Sequence, residues 1–210
     1  SRFLYVRGIA LTFLIAFISL HMQICGLFGN DGILPISDLM SSVGYSLNSH
    51  GLAKYFIFPT IFWFDSSDFF LIAACVVGEL AALVAIFGFL SMFNLFVCWL
   101  LYLSFVICGS EFMSFQWDIL LLEAGFLAII WAPPTVLSFP LNRQNNAEEM
   151  PSLLGLWLLR WLLFRLMFMS GLCKILSGDT TWLDMTALAY HFETQPLPTP
   201  LAWFAHHMPL

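Results

Sequence analysis

Charge is what this sequence has least of. Asp, Glu, Lys and Arg make up 10% of its 210 residues, against about 25% in an ordinary soluble domain. That scarcity excludes a normal water-facing surface. The net charge of −6 excludes the basic face on which nucleic acid binds. Cysteine is sparse too. Cys25, Cys75, Cys98, Cys108 and Cys173 all lie in apolar runs with no CxxC pair. An odd, lipid-depth set makes neither a disulfide framework nor a zinc site, and the five read as buried thiols. A nucleophile elbow, a P-loop, an HExxH pair and an N-x-[ST] sequon are all missing. GLFGNDG is glycine-rich but follows no strand, so it is no phosphate cradle. No internal repeat is visible.

What the chain has is apolar length. Hydrophobic residues reach 60% and mean hydropathy is +0.89, more than its own polar residues could cover. A spanning helix needs about 20 apolar residues, and five segments approach that: about 8–27, 69–90, 92–109, 113–132 and 153–177. The expected fold is therefore all-α, a polytopic helical bundle in a lipid bilayer over residues 1–178. Residues 179–210 form a membrane-proximal segment. The first run is too long for a leader and no small-residue cleavage site follows it, so it reads as a retained span. Ser1 is not an initiator Met, and 179–210 is expected to open a further region.

The connections differ in kind. Residues 28–68 open with the turn signal Asn30-Asp31-Gly32. They then carry LAKYFIFPTIFWF, apolar but too short to span, which fits an interfacial or re-entrant segment with aromatics at headgroup level. Asp65-Ser66-Ser67-Asp68 offers N-cap chemistry. A tight turn at Ser91–Asn94 is expected to fold the second and third spans into a hairpin. Pro133-Pro134 stops the fourth. The linker with Arg143, Asn145, Asn146, Glu148 and Glu149 belongs in water. Arg2, Arg7 and Arg143 outweigh Lys54 and Lys174, so the N-terminus is expected in the cytoplasm and 179–210 on the lumenal or periplasmic side.

Ionisable residues inside the spans are the candidate site, because each costs a few kcal/mol without a partner or cavity. They are Glu79, Asp118, Glu123, Arg160, Arg165 and Lys174, with His21 and Gln23 late in the first span. At about 100° per residue Arg160 and Lys174 share a helix face about 21 Å apart, with Arg165 about 140° away. Glu123 and Arg165 lie at matching depth and are expected to pair, Asp118 and Lys174 to share the lumenal boundary. Glu79 is left without an assigned partner, with simple protonation open to it. Two readings stand: ion pairs that fix helix register, or a functional polar cavity. Lys174 is the plausible catalytic group, since an apolar setting can turn a lysine into a base; the alternative is a boundary lysine that anchors the helix. His191, Glu193 and the neighbouring His206 and His207 match no standard metal spacing, so no metal is expected.

The stretches GLFGNDGILP, LLYLSF, QWDILLLEAGFLAI and FRLMFMSGLCKILSGDTTWLDMTALAYHFETQPLPTPLAWFAHHMP together resemble the membrane region of the lipase maturation factor family, over almost the whole chain. The resemblance implies an integral membrane protein of the endoplasmic reticulum, or of the inner membrane in a bacterial relative. It also implies a non-enzymatic role in folding and assembly of secreted lipases. The loop bearing Trp182, Asp184, His191, Glu193 and Gln195 belongs to its motif. More distantly, Ser170-Gly171-Leu172-Cys173-Lys174-Ile175-Leu176 with Trp182 is similar to the vitamin K-dependent carboxylase (HTTM) type of membrane domain. That likeness implies Lys174 as base toward a reduced quinone, the one cofactor in view. Ile175 stands where that pattern has Leu, and Trp182 lies further on.

Three functions follow as expectations. The chain is a maturation factor whose lumenal loops 28–68 and 179–210 hold a secreted client; a quinone- or lipid-modifying enzyme based on Lys174; or a structural subunit of a larger membrane complex, packed through its 23 Phe.

Overall fold

The first apolar run forms one helix, α1 (Arg2–Phe28), of 27 residues. At 1.5 Å per residue it is about 40 Å long, more than the ~30 Å hydrocarbon layer. Val6, Ala10, Phe13, Phe17, Leu20, Ile24 and Phe28 recur every three or four residues and are buried. The opposite face is no less apolar, with Leu11, Ile15 and Met22 exposed. Apolar residues on both sides are what a lipid-facing helix requires. The computed structural model describes residues 2–133, 153–194 and 199–207. Pro134, the 143–149 linker and Gln195, all singled out above, lie outside the described residues.

The predicted turn after α1 is held from two sides. A Cβ on Gly29 would lie 2.6 Å from the Cys25 carbonyl oxygen, so only glycine fits there. The Asn30 amide donates to Asp68 Oδ1 at 2.8 Å. Two short helices follow, α2 (Ile36–Ser46) and α3 (Lys54–Ile57). A 3₁₀ turn, Ile61–Trp63, then drops Phe62 into the bundle. Its ring sits 5.1 Å from Phe105 and 6.2 Å from Phe70, and the Ile61 amide donates to Ser104 Oγ at 3.1 Å.

α4 (Asp68–Ile86) starts at an N-cap, Ser67, whose Oγ accepts from the Phe70 amide at 3.3 Å. The Ser67 amide and hydroxyl both donate to Asp65, at 2.9 and 2.8 Å. The amide bond first, then the hydroxyl bond, holds the Asp65 carboxyl below its usual range. The turn to α5 (Ser91–Cys108) occupies 87–90, not Ser91–Asn94 as expected. Gly88 and Leu90 carry positive φ, 84° and 43°, and Asn94 Nδ2 donates back to the Phe89 carbonyl at 2.9 Å. Ser91–Asn94 is thus the first turn of α5, closed by its own asparagine.

α6 (Gln116–Trp131) has 16 residues. A 3₁₀ turn, Ser110–Met113, and the N-cap at Phe115 place the helix start three residues after the expected one at Met113, leaving a helix about 24 Å long. Among the described residues, four helices are long and apolar enough to cross a membrane: α1, α4, α5 and α7 (Leu153–Leu176). No β-strand occurs among the described residues. The fold is an all-α membrane bundle.

The chain divides into two units, 1–159 and 160–210, the division falling within α7. In the first, α1 packs most extensively on α4, α4 on α5, α5 on α6, and α6 returns to α1. Arg7 Nε donates to the last carbonyl of α4, Ile86, at 2.5 Å, and its guanidinium stacks 3.3 Å over Phe3. Arg2 Nε donates to the last carbonyl of α6, Trp131, at 2.6 Å. A cation at a helix C-terminus satisfies orphan carbonyls and the helix dipole together. The first helix therefore starts where α4 and α6 end.

In the second unit, α7 ends before Gly178, whose φ is 73°. Three short helices follow: α8 (Thr180–Leu183), α9 (Ala187–Thr194) and α10 (Pro200–His206). Asp179 Oδ1 accepts from the Thr181 amide at 3.0 Å, and Thr199 caps α10 with Pro200 at the first helical position. Of the cysteines expected to be buried, Cys75, Cys98 and Cys108 are, but Cys25 and Cys173 are exposed. Both occupy outward faces of their helices, a side that an apolar run with no marked polar face does not reveal.

Candidate functional site

Glu79 has a partner after all. His21 on α1 meets it on α4, with Nδ1 and Oε1 2.8 Å apart and 36% and 23% of the side chains exposed. The contact gives Glu79 the partner that the sequence left unassigned.

Asp118 is held differently. Both Asp118 and Tyr102 are buried, and the Tyr102 hydroxyl donates to Asp118 Oδ1 at 2.5 Å. Tyr102 is itself wedged edge-on against Phe13 and Phe17, with centroids at 5.8 and 5.6 Å. α6 is fixed further by Trp99 Nε1 donating to the Leu122 carbonyl at 3.0 Å and Tyr5 Oη to that of Ala124 at 2.9 Å. Gly125 lets the backbone close on Phe13, since a Cβ there would lie 2.7 Å from the ring. Tyr102→Phe leaves a buried carboxylate without its donor. We expect a loss of about 1–3 kcal/mol, read as a lower unfolding midpoint in detergent, with Asp118→Asn milder because the amide oxygen still accepts.

Glu79 and Asp118 are thus served by different partners on different helices, α1 and α5. Neither the Tyr102 hydroxyl nor the His21 ring was assigned to a carboxylate by charge counting. Glu123, Arg160 and Arg165 engage in interactions of their own.

In the second unit, Lys174 Nζ lies 4.6 Å from the Trp182 ring centroid. The side chain is exposed, and the distance is that of a cation–π contact. Asp184 closes α8, its amide donating to the Thr180 carbonyl at 2.9 Å. His191 stacks edge-on against Phe192, 5.6 Å between centroids, and Glu193 is exposed. His207 lies 4.3 Å from Trp203, and its Nδ1 donates to the Trp203 carbonyl at 2.8 Å. Trp182 is thus the motif-loop residue that meets Lys174 at the end of α7.

Apolar spans joined by internally satisfied polar pairs define an all-α integral membrane domain. Residues 1–210 match the family model for the lipase maturation factor transmembrane domain, and the chain belongs to the lipase maturation factor family. Lipase maturation factor 2 of Xenopus tropicalis is 39% identical over 217 residues, covering 100% of this chain and 30% of that protein. Lipase maturation factor 2 of Homo sapiens is 41% identical over 228 residues, covering 100% and 30%. Lipase maturation factor 1 of Mus musculus is 37% identical over 216 residues, covering 100% and 36%. The chain thus spans about a third of the length of these relatives. No solved structure matches.

Proposed function

We propose that this chain is the membrane platform of a protein that assists folding and assembly of secreted lipases, without catalysing a reaction itself. The carrying observation is family membership along the whole chain, at 37–41% identity to the three relatives above. In this reading the protein resides in the endoplasmic reticulum of a eukaryote, or the inner membrane of a bacterium. Its N-terminus is cytoplasmic, with loops 28–68 and 179–210 on the far side, where a secreted client or membrane-complex partner is met. Arg160 anchors the cytoplasmic side. No cofactor is required.

The contact between Lys174 and Trp182 supports an anchoring role for that lysine over the quinone-directed base of the carboxylase-like alternative. Lys174→Met then lowers abundance or anchoring at most, and leaves activity per molecule unchanged in a client-maturation assay. The function is tested by crosslinking and co-purification of the full-length protein from secretory cells. Recovery of immature, not yet active lipase is expected. Recovery of only the mature, secreted form, or of no secreted protein, contradicts the reading.

A further inference from the structure

The connection between α1 and α4 sorts its exposed residues by chemistry. On α2 the exposed residues are Asp38, Ser41, Ser42, Tyr45 and Ser46, polar but for the tyrosine ring. The three hydroxyls donate back to the carbonyls of Ser37, Asp38 and Ser42 at 2.9–3.0 Å. Beyond Leu52 the exposed residues turn apolar: Phe56 is 89% exposed and Phe64 88%, with Leu52 and Ile57 beside them in sequence. Rings left this open in water have no compensating contact, and contiguous apolar exposure marks an interaction surface.

These rings are held rather than loose. Phe62, two residues before Phe64, is locked into the bundle between Phe70 and Phe105. Trp63 Nε1 donates to the Phe58 carbonyl at 2.8 Å, and its ring stands edge-on to Tyr55 at 5.6 Å. Lys54 Nζ lies 5.1 Å from both the Tyr55 and Trp63 rings.

The level of the segment is set by what it connects. It joins the end of α1 to the start of α4, two helices long enough to cross a bilayer, so it lies at a membrane boundary. The apolar surface continues onto α4. Phe69 heads a row with Leu80, Leu83 and Phe87, all exposed and all within about 40° of one helix face. Aromatic rings flanking a lysine are the composition of the headgroup layer. Charge narrows the lipid: residues 28–68 hold Asp31, Asp38, Asp65 and Asp68 against Lys54 alone, the reverse of a polybasic segment that seeks anionic lipid.

We infer that residues 52–64, with Phe69, dock on the bilayer itself. Phe56 and Phe64 enter the headgroup–acyl boundary of neutral, phosphatidylcholine-type lipid while the outer face of α2 stays in water. The inference rests on membrane residence alone, not on the maturation role. It makes this connection a depth gauge that fixes how far α1 and α4 sit in the membrane.

The test is spin-label accessibility in the full chain, with Cys25→Ser and Cys173→Ser, reconstituted into phosphatidylcholine bilayers. Nitroxides are attached at Phe56→Cys, Phe64→Cys and, as the water reference, Ser42→Cys. Oxygen is expected to dominate relaxation at 56 and 64 and a water-soluble nickel chelate at 42, a reversal of the collision ratio between the two faces. Adding anionic lipid leaves the ratio unchanged. Nickel dominance at 56 and 64 places the segment in water and overturns the proposal. Protection from both reagents means that a second copy or another protein covers it, and overturns it equally. Oxygen dominance that appears only with anionic lipid overturns the choice of lipid.

Discussion

Phe17→Ala is expected to destabilise the bundle by about 3 kcal/mol, measured by unfolding in mixed detergent micelles. Phe17 is fully buried, and a Cβ on Gly78 of α4 would lie 2.6 Å from its ring. The ring therefore fills the gap that the glycine leaves between α1 and α4, and it also braces Tyr102 and Phe13, at 5.6 and 6.4 Å. In a soluble core Phe→Ala costs about 3–5 kcal/mol. Lipid tails are as apolar as the protein interior, so the transfer share is absent and the packing share remains, which puts the effect at the low end. The partner substitution checks the cause. Gly78→Ala alone overpacks the contact and costs about 1–3 kcal/mol, whereas in the Phe17→Ala background the added methyl enters empty space. Strongly non-additive losses are expected; additive ones would show that these residues do not meet.

His21→Ala is expected to cost up to about 3 kcal/mol, the scale of a lone charge at the centre of a membrane helix. Removing the imidazole leaves Glu79, 23% exposed, within a helix long and apolar enough to cross a membrane and without the contact that ties it to α1. The double variant His21→Ala/Glu79→Ala removes both costs and is expected to recover most of the stability. If the double variant is as unstable as the sum of the single ones, the 2.8 Å contact does not couple the helices.

How much was legible in the sequence depends on the kind of information a residue carries. Apolar length alone set the class of fold, because no soluble packing could hide 60% hydrophobic residues. The turn at Asn30–Gly32 and the cap at Ser67 were legible because their chemistry is local. The left-handed Leu90 was not, since nothing in its identity favours positive φ, and the hairpin turn was therefore read four residues late. The shortening of α6 to 16 residues was hidden for a related reason: nothing in the identities of Met113, Ser114 and Phe115 places them before the helix.

The candidate site was legible as a set of residues and illegible as a set of pairs. Charge counting sought opposite formal charges, so the carboxylates were matched only to Arg and Lys. A tyrosine hydroxyl and an imidazole are the partners that Asp118 and Glu79 use. Arg2 and Arg7 were read as orientation signals. They also cap the ends of α6 and α4, a role that depends on helix packing and so cannot be seen along one chain. Phe62 belongs to the same class: a loop aromatic in the sequence, a core residue in the fold.

The proposal that this domain serves the maturation of secreted lipases is tested most directly by removing the full-length protein from a cell that secretes one. Lipase mass and lipase activity are then measured separately in the medium and in the cell. Activity per unit of lipase mass is expected to fall, with inactive enzyme accumulating inside, and re-expression is expected to restore it. Unchanged specific activity and unchanged secretion in the absence of the protein would contradict the account.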